Sequence, residues 1–218
     1  MKLDPGDRLV MIGDSITDCE RKRPLGEGRA PSTGHGYVAL VEAFLQTFYC
    51  EYNIRVTNTG ISGNTVRDLK QRWQTDVIDL QPDWLSVMIG INDVWRQFDQ
   101  PTLPETHVYP AEYEQTLDEL ISLTLPKVKC IILLTPFYIE SNRGDAMRAK
   151  MDQYGQIVKK LADKHQTLFV DTQAAFDRVT AHLYPAALAW DRVHPSQTGH
   201  MVLARAFLEA MDFDWRRS

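Results

Sequence analysis

The sequence predicts an α/β protein, a three-layer α/β/α sandwich on a five-stranded parallel sheet, from two observations. Short apolar runs alternate with longer segments of helical period along the whole chain, and strand–helix alternation at that rhythm builds parallel sheets covered by helices on both faces. The first, third and fourth runs are also nearly continuous in apolar residues, as strands shielded on both sides must be.

The five runs are Leu9-Val10-Met11-Ile12, Ile54-Arg55-Val56, Trp84-Leu85-Ser86-Val87-Met88-Ile89, Ile131-Ile132-Leu133-Leu134 and Leu168-Phe169-Val170. After the first, Tyr37, Leu40, Val41, Phe44, Leu45 and Phe48 share one helical face. Val66, Leu69 and Trp73 follow the second run in the same way, and Tyr113, Leu117, Leu120 and Ile121 the third. Met147, Met151, Tyr154, Ile157, Val158 and Leu161 follow the fourth, and Met201, Val202, Ala204, Arg205 and Leu208 mark a last helix beginning around Ser196. Spacing near the 3.6-residue turn makes each set a core-facing stripe. Three connections are longer than a structural join needs: Asp18 to Gly36, Asp93 to Pro110 and Tyr184 to Val193. Long ordered connections in compact domains often carry function. The first two directly follow strands, so they emerge at the carboxyl edge of the sheet, where open α/β folds bind ligands.

With 218 residues, 44% hydrophobic and 24% charged, the chain is expected to form one domain spanning 1–218. A net charge of −5 with scattered Lys and Arg predicts no nucleic-acid partner and no anionic membrane surface. The charged start, broken by Pro5 and Gly6, holds no apolar leader, and no later stretch reads as a membrane span, so the expected location is the cytoplasm. Cys19, Cys50 and Cys130 are odd in number and widely spaced, which predicts reduced thiols with neither a disulfide framework nor a zinc site. The histidines form no metal-binding cluster, and no metal or organic cofactor is expected.

Four stretches carry candidate chemistry. The first strand ends in Gly13-Asp14-Ser15-Ile16-Thr17-Asp18, a turn that presents the Ser15 hydroxyl at the sheet edge, although Asp-Ser there also serves as a helix cap. After the second strand, Gly60-Ile61-Ser62-Gly63-Asn64-Thr65 turns into a helix whose first amides lack intrahelical partners and can bind an anion. The plainer alternative is a turn with an Asn64 or Thr65 cap. Gly90-Ile91-Asn92-Asp93 follows the third strand and offers the Asn92 amide as a donor, or an Asx turn. Asp191-Arg192-Val193-His194-Pro195 sets an acid three residues before an imidazole. Together these supply a nucleophile, oxyanion donors and a base with its orienting acid.

At these residues the chain resembles the GDSL/SGNH hydrolases. Ser15, Gly63, Asn92 and His194 match the four residue types of that family in order, and Asp191 matches the acid of its Asp-x-x-His block; the family's best-known motif has Leu where Ile16 stands. The resemblance implies a serine esterase with Ser15, Asp191 and His194 as catalytic triad, and with the amides of Ser15 and Gly63 and the Asn92 side chain as oxyanion hole. Longer stretches, Gly60 to Leu69, Gly90 to Gln97, Thr135 to Glu140 and Leu183 to Pro195, resemble bacterial acetylxylan esterases. They imply O-acetyl groups on xylo-oligosaccharides or related sugars as substrate.

Trp95, Tyr109, Tyr184 and Trp190 offer flat platforms for pyranose rings or else pack their own loops; with Asp14, the residues Trp95, Tyr184 and Trp190 are the expected substrate contacts. Phe213 and Trp215 in the tail dock on a neighbouring subunit of a homo-oligomer or fold back on their own domain. Two rival readings stand beside the acetyl esterase. One is a lysophospholipase or acyl-thioesterase of the same family; the other is a non-catalytic sugar-binding module on a flavodoxin-like scaffold.

Overall fold

The computed structural model describes residues 1–217. Its strands are β1 (Arg8–Gly13), β2 (Arg55–Asn58), β3 (Trp84–Met88), β4 (Cys130–Leu134) and β5 (Leu168–Val170). Its helices are α1 (Ser15–Asp18), α2 (Tyr37–Phe48), α3 (Val66–Asp76), α4 (Ile91–Asp99), α5 (Pro110–Thr124), α6 (Ala146–His165), α7 (Thr172–Thr180), α8 (Pro185–Leu188) and α9 (Gln197–Ala210). The sheet has the order β2-β1-β3-β4-β5 and every pairing is parallel. Helices α2, α7 and α9 pack together, as do α3, α5 and α6, which gives the expected three layers. Leu9 to Ile12 are wholly enclosed, which explains why β1 reads as an unbroken apolar run.

Strand order decides where a site can form. From β1 the chain steps outward to β2 and then returns to the other side as β3. The carboxyl ends of β1 and β3 are in register, with Gly13 opposite Met88. The segments leaving these two strands therefore diverge around one crevice, the switch point of a doubly wound sheet.

Parts of the structure differ from the sequence reading. The connection after Asp93 begins inside a helix, because α4 buries Ile91, Asn92, Asp93 and Val94 in a single turn and two of those four are polar, so no apolar stripe marks it. Helix α7 buries Thr172, Gln173, Ala175 and Phe176, a face with the same mixed character. The second strand runs on to Asn58, whose buried amide donates to the carbonyls of Thr17 at 2.6 Å and Thr33 at 2.8 Å. In the tail, Phe213 is buried against Phe44, Phe48 and Tyr49 of its own chain, whereas Trp215 packs edge-on to Phe44 at 5.3 Å and remains 40% exposed. Among the described residues no helix is long and apolar enough to cross a membrane.

Candidate active site

Strand β1 ends at Gly13, where a Cβ would sit 2.3 Å from the Thr17 hydroxyl and 2.4 Å from the Met88 carbonyl. Only glycine allows the chain to turn so tightly between β3 and α1. Asp14 caps α1, its carboxylate accepting from the Ile16 amide at 3.0 Å. Ser15 opens the helix, which closes after four residues at Cys19 in the left-handed region, φ 39°.

The Ser15 Oγ lies 2.9 Å from His194 Nε2. On the other side of the ring, Nδ1 lies 2.6 Å from Asp191 Oδ2. Asp191 is itself fixed, since its Oδ1 accepts from the amides of Val193 at 2.9 Å and His194 at 2.8 Å. A carboxylate at Nδ1 favours the tautomer with its proton there, which leaves Nε2 as the acceptor for the serine hydroxyl. Between acid and base the chain passes through Arg192 at φ 64°. That residue is held by the Ile139 amide donating to its carbonyl at 2.9 Å and by an ion pair with Glu140. Ser196 then caps α9.

The second crevice wall is the turn after β2. Gly60 packs so closely on α1 that a Cβ would lie 2.3 Å from the Asp18 amide nitrogen. The Ile61 amide donates to the Gly13 carbonyl at 3.1 Å. The Asp18 carboxylate accepts from the Ser62 amide at 3.0 Å, the Ser62 hydroxyl at 2.9 Å and Arg23 at 2.6 Å. Gly63 has φ +83° and nothing within 4 Å of where a Cβ would stand, so its backbone conformation, rather than crowding by the protein, calls for glycine. At the entry to α3 two amides are already engaged. Asp93 Oδ1 accepts from the Val66 amide at 3.0 Å and Asp68 from the Thr65 amide at 2.7 Å.

The Asn92 side chain completes the crevice. Its Nδ2 donates to the Asn64 carbonyl at 2.9 Å, and its Oδ1 accepts from Arg96 at 3.2 Å. An amide nitrogen carries two hydrogens, so one N–H is engaged and a second remains to donate. Sequence reasoning gave no role to Arg23, Asp93, Arg96 or Glu140. A charged side chain in a loop or helix reads as solvated, and only the fold shows which group of the crevice it meets.

Burial divides the ionisable groups. The enclosed carboxyls of Asp14 and Asp93 are each pushed up to about 7, Asp14 against the opposing pull of the Ile16 amide, His194 and Arg72. Partial burial also raises Asp191, but the hydrogen bonds from the His194 ring and from the His194 and Val193 amides prevail and hold it below the usual carboxylate range. His200, buried and close to His194, is lowered to about 4. Its Nδ1 accepts from the Tyr37 amide at 3.2 Å, which tethers α9 to the start of α2.

Of the expected substrate contacts, Asp14 is displaced. It is 1% exposed and engaged with α1, because a carboxylate that caps a helix turns inward. Trp95 stands beside the base, its ring 5.9 Å from the imidazole of His194. Tyr184 and Trp190 are 73% and 91% exposed, so neither packs its own loop. The triad is open to solvent as well, with the His194 and Asp191 side chains 47% and 35% exposed.

Comparisons with known proteins agree with this geometry. Residues 11–202 match the GDSL-like lipase/acylhydrolase family. The chain is 62% identical over 218 residues to an acetylxylan esterase of Geobacillus stearothermophilus, covering all of both chains. It superposes on the crystal structure of that esterase with a TM-score of 0.99. Structures of three catalytic mutants of the same enzyme, S15A, D191A and H194A, give the same TM-score of 0.99. An alpha/beta hydrolase enzyme from the metagenome of Lake Arreo, Spain, is 55% identical over 98% of both chains, with a TM-score of 0.96.

Proposed function

The chain belongs to the GDSL-like lipase/acylhydrolase family and is a carboxylic-ester hydrolase, and from that premise we propose that it removes O-acetyl groups from xylo-oligosaccharides through an acetyl-serine on Ser15. One observation carries the chemistry: the unbroken line of hydrogen bonds from Ser15 through His194 to Asp191. The full-length likeness to an acetylxylan esterase carries the substrate.

A serine hydroxyl is a weak nucleophile until a base takes its proton as it attacks, and His194 is placed to do so with Asp191 fixing its tautomer. As Oγ adds to the acetyl carbonyl, charge gathers on the carbonyl oxygen. The amides of Ser15 and Gly63 and the free N–H of Asn92 are the donors that receive it. His194 then returns the proton to the departing sugar oxygen, and the acetyl group stays on Ser15. A water deprotonated by the same imidazole releases acetate. Every proton in this cycle moves between side chains of the protein, substrate and water.

The open triad, the ring of Trp95 beside His194 and the exposed rings of Tyr184 and Trp190 support a sugar leaving group laid across the surface. Trp190→Ala then lowers activity on acetylated oligosaccharide far more than on an aryl acetate. The proposal includes short oligomers met in the cytoplasm and a homo-oligomeric assembly, which cell fractionation and the mass in solution test. Its central test is an acyl-chain series with acetate release from defined acetylated xylo-oligosaccharides. Activity confined to acetyl esters supports it; activity that rises with chain length overturns it in favour of a lysophospholipase or thioesterase.

A further inference from the structure

Ser15, Gly63 and Asn92 stand on three separate connections, so their relative placement depends on whatever ties those connections together. The first two are joined where the Ile61 amide donates to the Gly13 carbonyl, where Ser62 bonds Asp18, and where Arg21 and Arg23 donate to the Gly60 carbonyl at 2.7 and 3.1 Å. A further tie, which reaches Gly13, Thr59 and Asn64 together, comes from outside all the motifs, from Arg72 on α3. Its Nε donates to Asn64 Oδ1 at 2.7 Å, its Nη1 to the Thr59 carbonyl at 2.6 Å and Asp76 at 2.7 Å, and its Nη2 to the Gly13 carbonyl at 3.0 Å.

Only the Asp76 contact is an ordinary within-helix pair, of a kind that stabilises a helix by a few tenths of a kcal/mol. The other three acceptors belong to the crevice. Gly13 is the last residue of β1 before Asp14 and Ser15. Thr59 opens the turn that carries Gly63. Asn64 closes that turn, and its carbonyl is the group on which the Asn92 amide rests. The Arg72 side chain is 13% exposed, and a guanidinium so enclosed is costly unless its donors are used. Its rigid planar fork suits several fixed acceptors at once, which a single ammonium cannot satisfy together.

We propose that Arg72 is a positioning residue for the reaction, setting the distance between the Ser15 nucleophile and the oxyanion donors of Gly63 and Asn92 by tying Gly13, Thr59 and Asn64 to one guanidinium. The proposal rests on the assignment of Ser15 as nucleophile. Its effect falls on the transition state, because a misplaced donor costs little until charge develops on the carbonyl oxygen.

The test compares Arg72→Met, Arg72→Lys, Asn64→Ala and the double variant Arg72→Met/Asn64→Ala on an aryl acetate. Arg8→Met serves as reference, since Arg8 is a partly buried arginine at the first residue of β1, the end of the strand away from the crevice. Arg72→Met lowers kcat by ~10–100-fold with KM within about twofold, as expected of a small displacement of catalytic groups. Inhibition by an arylboronic acid, which forms a tetrahedral adduct on the serine, weakens in proportion to kcat. Arg72→Lys falls between wild type and Arg72→Met, and the double variant is no worse than Arg72→Met, as for two residues acting through one contact. Should Arg72→Met fail to fold, Arg72→Lys and Asn64→Ala give the same readout.

The proposal is overturned if kcat stays within twofold of wild type, if boronate affinity is unchanged, or if Arg8→Met at equal loss of Tm shows the same kcat defect. Labelling of the wild-type protein by an organophosphonate separates the premise: absence of label at Ser15 refutes the nucleophile itself, whereas a labelled Ser15 with an unaffected Arg72→Met refutes only the positioning role.

Discussion

Two halves of the site are built in opposite ways. The nucleophile and oxyanion half lies where β1, β2 and β3 end, enclosed by Asp18, Arg72 and Asp93, with glycines where backbones approach too closely for a Cβ. The base half is the segment from Tyr184 to Pro195, anchored in the core by Leu188, Ala189 and Val193, while its catalytic groups face solvent, Asp191 bonding its own near neighbours and Arg192 pairing with Glu140. Carboxyls in the two halves respond accordingly, Asp14 and Asp93 rising to about 7 and Asp191 falling. Of the acids near the imidazole, the one that orients it is thus the one kept ionised by hydrogen bonds, while Asp14 spends its carboxylate on α1. Donors that must not move at the transition state sit in the rigid half, and the group that must exchange protons with substrate and water sits in the accessible one.

Mutations test that division, beginning with the largest effect. Ser15→Ala removes the one group that both halves serve and lowers kcat by up to ~10⁶-fold on an aryl acetate; near-normal turnover rules out the nucleophile. Asp191→Asn strikes the open half. The amide keeps an oxygen for the Val193 and His194 nitrogens but presents N–H to Nδ1, which favours the tautomer unable to accept from Ser15. The expected loss is ~10⁴-fold, and a loss of only a few-fold reduces the triad to a Ser–His pair. Asn92→Ala strikes the rigid half and removes one donor among several, for a loss of ~10²–10³-fold. A small effect on kcat there shows that the Gly63 and Ser15 amides hold the charge alone.

The same division governs what the sequence discloses. The five strands and the helices with apolar stripes are legible because burial of one face imposes its period on the residues. Ser15, Gly63, Asn92, Asp191 and His194 are legible because each lies in a short local pattern at a strand or helix end. Helices α4 and α7 were hidden by polar residues on their buried faces, such as Asn92, Asp93, Thr172 and Gln173. For α7 one signal was present, Asp171, whose carboxylate accepts from the Ala174 amide as an N-cap. The clamp around the oxyanion turn left no local trace. Arg72 joins that turn to Gly13 across 59 residues and Asp18 reaches Ser62 across 44, and an arginine on the polar side of a helix looks the same whether it faces water or three carbonyl-type oxygens.

The smallest effect concerns Asp14, where the enclosed half bears a cost that pH reveals. In the unfolded chain its carboxyl has an ordinary value of 3.8, and in the fold about 7, so the folded state binds the proton more tightly. Stability from this group is therefore fully present below about pH 4, declines as pH rises between those two values, and is constant above about pH 7. Asp14→Asn keeps an oxygen to accept from the Ile16 amide and removes the ionisation. The variant should gain stability relative to wild type on going from pH 5 to pH 8, by about 2–3 kcal/mol at 1.36 kcal/mol per pH unit. In a chain of this length that corresponds to a relative rise in Tm of roughly 4–12 °C. Thermal unfolding of both proteins at the two pH values decides it: a Tm difference that stays the same at pH 5 and pH 8 means the Asp14 carboxyl is ionised in the fold at both, and the rigid half is wetter than its packing indicates.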